Sequence, residues 1–152
     1  MIKMYYRGVA VAMVVYDVGD RASFECIGEW LSDVREKQQS RALGNQKDGV
    51  IYYVIGNKCD LDDDEREVTF EEGQNWVNEY KQEVEEEETI DIKFLEVSAK
   101  EGTNINALFE EISVKLLERH NKAMGLKGGD KNKYKMNDPT ASLAYNYDNQ
   151  KM

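Results

Sequence analysis

The stretch VIYYVIGNKCDLDDDE, residues 50–65, decides how this chain folds. Six apolar residues run to Gly56, a polar turn of Asn57, Lys58, Cys59 and Asp60 follows, and then come acids. An unbroken apolar run of this kind suits a strand buried on both faces, as in a parallel sheet. The polar turn then lies at the carboxyl end of a strand, which is where open parallel sheets hold ligands.

Upstream, VAVAMVVYD (9–17) is a second such run, with four valines and a tyrosine. SFECIGEWLSDVREKQQ (23–39) follows, and Phe24, Ile27, Leu31 and Val34 recur at helical steps that place one stripe on a core. Ser23 is positioned to cap its first turn. A polar loop, SRALGNQKDG (40–49), leads into the opening stretch.

Downstream, VTFEEGQNWVNEY (68–80) carries Thr69 and Glu72 at capping-box spacing, ahead of an apolar stripe of Trp76, Val77 and Tyr80. The acidic run EVEEEE (83–88) reads as a solvated helix end or loop. A third strand, IKFLEVS (92–98), precedes a helix over roughly 104–120 with Ile105, Leu108, Phe109, Ile112 and Leu116 on one face. Residues 121–152 are polar, contain Gly and Lys, and have no period, so a disordered tail is expected there. Strands alternating with amphipathic helices predict right-handed crossovers and a parallel, three-layer α/β sheet.

Composition sets outer limits. At 152 residues, 41% hydrophobic and 33% charged, the chain is one domain's worth of globular sequence. A net charge of −10 argues against binding the phosphate backbone of nucleic acid. Six lysines against three aspartates fall from Asn121 onward, which leaves −13 on residues 1–120. Cys26 and Cys59 read as two reduced thiols, and His120 as a surface residue near a helix end. No signal-peptide pattern opens the chain, and VAVAMVVY is too short to span a bilayer. A cytoplasmic location is expected.

The two polar turns, NKCD after one strand and SAK (98–100) after the next, should share one rim. A carboxylate offers two acceptors and no donor. Guanine presents a ring N–H beside an exocyclic amino group, a pair of donors that fits it. Adenine presents a lone pair where guanine has that N–H, so Asp60 would select one purine and repel the other. Asn57 adds an amide, the stems of Lys58 and Lys100 can lie along ring faces, and a backbone N–H near Ala99 can reach a base oxygen. NKxD alone arises by chance in about 2% of chains this long, so it is its placement after an apolar strand that carries the reading.

NKCDL and EVSAKEGTNINALFEEI resemble the two guanine-binding loops and final helix of the Ras-like small GTPases, most closely the Rab family. YYRGVAVAMVVYDVGDRASFE resembles the Rab stretch leaving the second switch and entering the fourth strand. The resemblance covers about residues 5–120. It implies the C-terminal portion of a P-loop NTPase (Ras-like) domain over residues 1–120, with the N-terminal strands missing. It implies that Asn57 and Asp60 hold the base, that Lys58 and Lys100 pack along base and sugar, that Ala99 gives its N–H to the base oxygen, and that Ser98 braces the loop. It also implies a GTP/GDP switch in vesicle traffic, with Rab effectors or regulators as protein partners and endomembrane association.

The family's phosphate and magnesium chemistry depends on a G-x-x-x-x-G-K-[ST] loop, a switch threonine and a D-x-x-G turn. None of these patterns occurs in the 152 residues, and the first threonine is Thr69. Weak binding of GTP or GDP and no hydrolysis are therefore expected of these residues alone, with magnesium reserved for a complete form. The C-terminal YNYDNQKM has no cysteine for a prenyl anchor. A strand over 9–16 lacking its neighbours should expose an open edge and make the isolated polypeptide poorly stable. Two alternatives stand beside the switch reading: a non-catalytic interaction module (a pseudo-GTPase) and a degenerate fragment.

Overall fold

The structure, a computed structural model, describes residues 9–39, 49–85 and 90–125. Tyr5 and Tyr6, most of the 40–49 loop, residues 86–89 of the acidic run, and the tail beyond Gly125 lie outside the described residues. Seven elements follow in order: β1 (Val11–Asp17), α1 (Arg21–Glu25), α2 (Ile27–Gln39), β2 (Ile51–Asn57), α3 (Phe70–Glu85), β3 (Asp91–Val97) and α4 (Ile105–Ala123). The chain divides into two units, Met1–Glu101 and Gly102–Met152.

In the first unit the three strands form one parallel sheet in the order β1-β2-β3, as the apolar runs predict. Each strand shows one set of alternate residues to each face. Tyr16, Tyr52, Val54 and Ile92 enter a core shared with Phe24, Ile27, Leu31 and Val34 of α1 and α2 and with Val77 of α3. All four residues of the stripe read from SFECIGEWLSDV are buried. Aromatic rings bridge the helices: Phe24 lies 5.1 Å from Tyr16 and 6.2 Å from Trp76, and Trp76 stacks on Tyr80 at 5.1 Å. On the opposite face Ile51, Tyr53, Ile55, Leu95 and Val97 are buried as well. Burial on both faces is what permits the near-continuous apolar run of β2, whereas β1, expected to be buried likewise, leaves Met13 and Val15 exposed on this face.

Two local readings are corrected. The cap of the first helical turn is Asp20, whose side chain accepts from Ala22 N–H, and not Ser23. Ser23 instead donates to Asp20 O and accepts from Asp17 N–H at 3.0 Å, joining helix to strand. The helix is also divided. Cys26 turns its N–H to Phe24 O, which ends α1 and lets α2 restart at Ile27. The box at Thr69 is present: its hydroxyl accepts Glu72 N–H at 3.2 Å. Glu72 is further committed to Arg21, which ties α3 to α1.

The second unit, taken by itself, is a helix with defined ends. Asn104 enters α4 with a left-handed backbone, and at the other end Met124 N–H bonds to His120 O. Gly125 then takes φ 67, the left-handed C-terminal stop that glycine adopts without a Cβ penalty. Leu108 and Ile112 are its buried apolar residues. Phe109, predicted on the same stripe, is half exposed, because it lies a third of a turn away from Leu108 and off the buried line.

Candidate functional site

Parallel register brings three strand ends into one row. Asp17 closes β1 opposite Asn57, and Asn57 closes β2 opposite Val97. The NKCD turn and the SAK turn therefore leave adjacent strands at one carboxyl edge. Backbone bonds fix the first turn: Cys59 N–H donates to Val97 O, and Leu61 N–H returns to Lys58 O, both at 3.0 Å. Lys58 takes φ 66, a left-handed conformation that costs a non-glycine residue about 1 kcal/mol.

The six residues expected at the rim are brought together as follows. Asn57 Oδ1 accepts Ala99 N–H at 3.1 Å, so this side chain clasps the second turn to the first. That N–H, which the resemblance assigns to a base oxygen, here has Asn57 as its acceptor. Ser98 is fully buried, and its Oγ accepts Glu101 N–H at 3.0 Å, closing the SAK turn. The Ser98 hydroxyl, and more weakly the Lys100 ammonium, hold the Asp60 carboxyl below its ordinary value of 3.8, against a smaller opposing effect of burial. Lys100 Nζ sits 3.5 Å from Asp60 Oδ2 and 3.5 Å from Glu101 Oε1. Asp60 Oδ1 is shielded from solvent and has no hydrogen-bond partner.

One member of the site escaped the sequence reading. Lys58 Nζ lies 2.5 Å from Asp17 Oδ2, so the rim extends to the end of the edge strand. Desolvation raises the Asp17 carboxyl, but Lys58 and the Gly19 N–H outweigh it and its pKa falls below 3.8. Asp17 ends its apolar run as Asn57 ends the next, and that shared position was the available signal.

The ground under the turn is tightly filled. A Cβ on Gly56 would stand 2.9 Å from the Tyr16 hydroxyl and 3.1 Å from Glu96 Cγ, which explains a glycine before Asn57. Arg66, from the segment after the acids, donates to Glu96 and to Val68 O. Burial raises the Glu96 carboxyl despite that partner, and it pushes the Cys59 thiol up to about 11. Among the described residues no three His, Cys, Asp or Glu side chains cluster as a metal site.

Comparison with known proteins adds a second line of observation. Residues 1–118 match the family described as "Ras family". Three relatives align over much of the chain. The "GTP-binding protein ypt2" of Schizosaccharomyces pombe is 35% identical over 105 residues, 69% of this chain and 43% of its own length. The "Ras-related protein RabC" of Dictyostelium discoideum is 39% identical over 106 residues, 70% of this chain and 44% of its own. From the same organism, the "Putative ras-related protein Rab-5B" is 37% identical over 117 residues, 77% and 46%. The chain thus spans less than half the length of these relatives.

Proposed function

The chain belongs to the Ras family of small GTPases and is Rab-like in sequence, and from that premise we propose that its rim reads the guanine base of GTP and GDP. The observation that carries this is the Asp60 carboxylate, held in its charged form at the rim beside Ser98 and Lys100 with its pKa below the ordinary carboxylate value. Guanine supplies two parallel donors to such a group, and adenine supplies a repelling lone pair. Asn57 clasps the second turn to the first and Ser98 closes the second, which supports a rim built from both. The stems of Lys58 and Lys100 flank the base, and its oxygen shares the Ala99 N–H.

These 152 residues bind nucleotide weakly and do not hydrolyse it. Phosphate cradling and water positioning need the Walker-type loop and the D-x-x-G turn, patterns absent from them. Magnesium belongs to a complete form of the protein, and base reading proceeds without it. The wider role is that of a GTP/GDP switch in vesicle traffic, working from the cytoplasm on endomembranes with effectors and regulators of the Rab kind.

The test is selectivity. The chain should bind guanosine at least about tenfold more tightly than adenosine, and Asp60→Ala should remove the preference. Equal binding of the two nucleosides, or a preference that survives the substitution, overturns the assignment.

A second reading, a non-catalytic interaction module, is favoured by one observation: among the described residues β1 is an edge strand, with Met13 and Val15 exposed. A native species near 17.5 kDa by intact mass would support it over the switch.

A further inference from the structure

We propose that Asp17 is a positioning residue of the rim, holding the Lys58 ammonium so that the lysine's methylene stem is presented along the face of a bound nucleoside base. The proposal rests on the base-reading assignment above and names a residue outside the two loops that define it.

Asp17 is built to hold still. Its N–H donates to Ser23 Oγ at 3.0 Å, and its Oδ1 accepts Gly19 N–H at 2.9 Å. The remaining oxygen, Oδ2, is the one that meets Lys58 Nζ. Strand register places the two residues together, since Asp17 faces Asn57 and Lys58 follows directly. Lys58 takes a left-handed backbone, and its side chain reaches Asp17 at the end of β1.

What the pair leaves available defines the ligand surface. Lys58 is 55% exposed, and a free lysine there would sample many rotamers. With its ammonium anchored, the stem is ordered before a ligand arrives, and that ordering is removed from the cost of binding. The ammonium itself is engaged by Asp17 first, with Asp60 and Asp20 also nearby, and all three favour its charged form. It is therefore not a spare cation for phosphate. The chemistry it offers is an apolar stem against a flat ring.

A double-mutant cycle on the full chain, with guanosine as the probe, separates this role from a structural one. Asp17→Asn should weaken guanosine about three- to fivefold, the scale of a partly exposed pair. In a Lys58→Met background the same change should cost less than about twofold, because its target is gone. Asp17→Glu, which keeps the charge, should recover most of the affinity. Unchanged affinity in Asp17→Asn overturns the proposal. So does an equal loss in both backgrounds, which would make Asp17 merely structural. A ligand-free readout stands apart from base reading: Asp17→Asn should lower the Lys58 ammonium titration followed by 15N NMR, and an unmoved titration also overturns the proposal. Failure of the unmodified chain to prefer guanosine over adenosine counts instead against the base-reading assignment.

Discussion

Arg66 donates through its guanidinium to the Glu96 carboxylate beneath the NKCD turn, and the two side chains are only 14% and 8% exposed. A pair so far out of water adds little net stability, but losing one partner strands the other. Arg66→Met should therefore destabilise the chain by about 3 kcal/mol, and the double change Arg66→Met with Glu96→Leu should recover most of that. Urea unfolding of the single and double variants measures both. A double variant no better than the single would show that the pair does more than neutralise itself.

Gly73 sits in α3 against the sheet, where a Cβ would fall 2.5 Å from Phe94 Cζ and 2.7 Å from the Tyr16 hydroxyl. Alanine gains about 1 kcal/mol of helix propensity over glycine, whereas overpacking costs about 1–3. The collision is with an aromatic ring rather than a flexible tip, so overpacking wins. Gly73→Ala should lower stability by about 1–2 kcal/mol, read from the unfolding midpoint.

The two thiols should differ in reactivity. Cys59 is half-buried, with a pKa pushed up to about 11 by desolvation and by the nearby Glu96 and Asp60, while Cys26 is exposed. At pH 8 only about a thousandth of Cys59 is thiolate. Iodoacetamide followed by peptide mass mapping should modify Cys26 first, and Cys59 only on unfolding.

Acid should affect the rim late. Asp17 and Asp60 both have pKa values held below 3.8, so the stability they contribute is fully present above that value. It is lost as pH falls through their lower folded-state values. Glu96 is raised above 4.5 and runs the other way, favouring the fold when protonated and losing that contribution as pH rises through its folded value. Guanosine affinity should stay flat from pH 7 to about 5 and collapse only below about 3.8. An affinity that titrates near pH 6 would point to another group.

Among the described residues β1 ends the sheet, with Val15 57% and Met13 45% exposed, and this strand should make the chain self-associate. Val15→Lys should raise the concentration at which light scattering appears, without lowering the stability by more than about 0.5 kcal/mol.

Much of this was legible in advance, and the reasons are specific. VAVAMVVYD and VIYYVIG both read as parallel strands, but only the second is buried on both faces, since β1 leaves Met13 and Val15 exposed; once two such strands are neighbours their polar ends share a rim. What stayed hidden depends on register and local competition. The Asp17–Lys58 pair follows from which residues stand opposite one another, which no periodicity states. Asp20 and Ser23 are both good caps three residues apart, and geometry chose the first. Glu96 lies inside IKFLEVS, where a lone acid gives no hint of a guanidinium thirty positions earlier. Phe109 had the right spacing for a stripe and the wrong angle for burial.

Asp17, Asn57 and Val97 stand in one row across the sheet, and that alignment carries a cost. A slip of a single residue in any strand would turn its last side chain to the other face and at the same stroke send its apolar set into water. If the rim reads a purine as proposed, misfolding and loss of that choice would be one event. Any population of this polypeptide that has hidden its greasy residues correctly has, by the same pairing, already aligned the ends of its three strands.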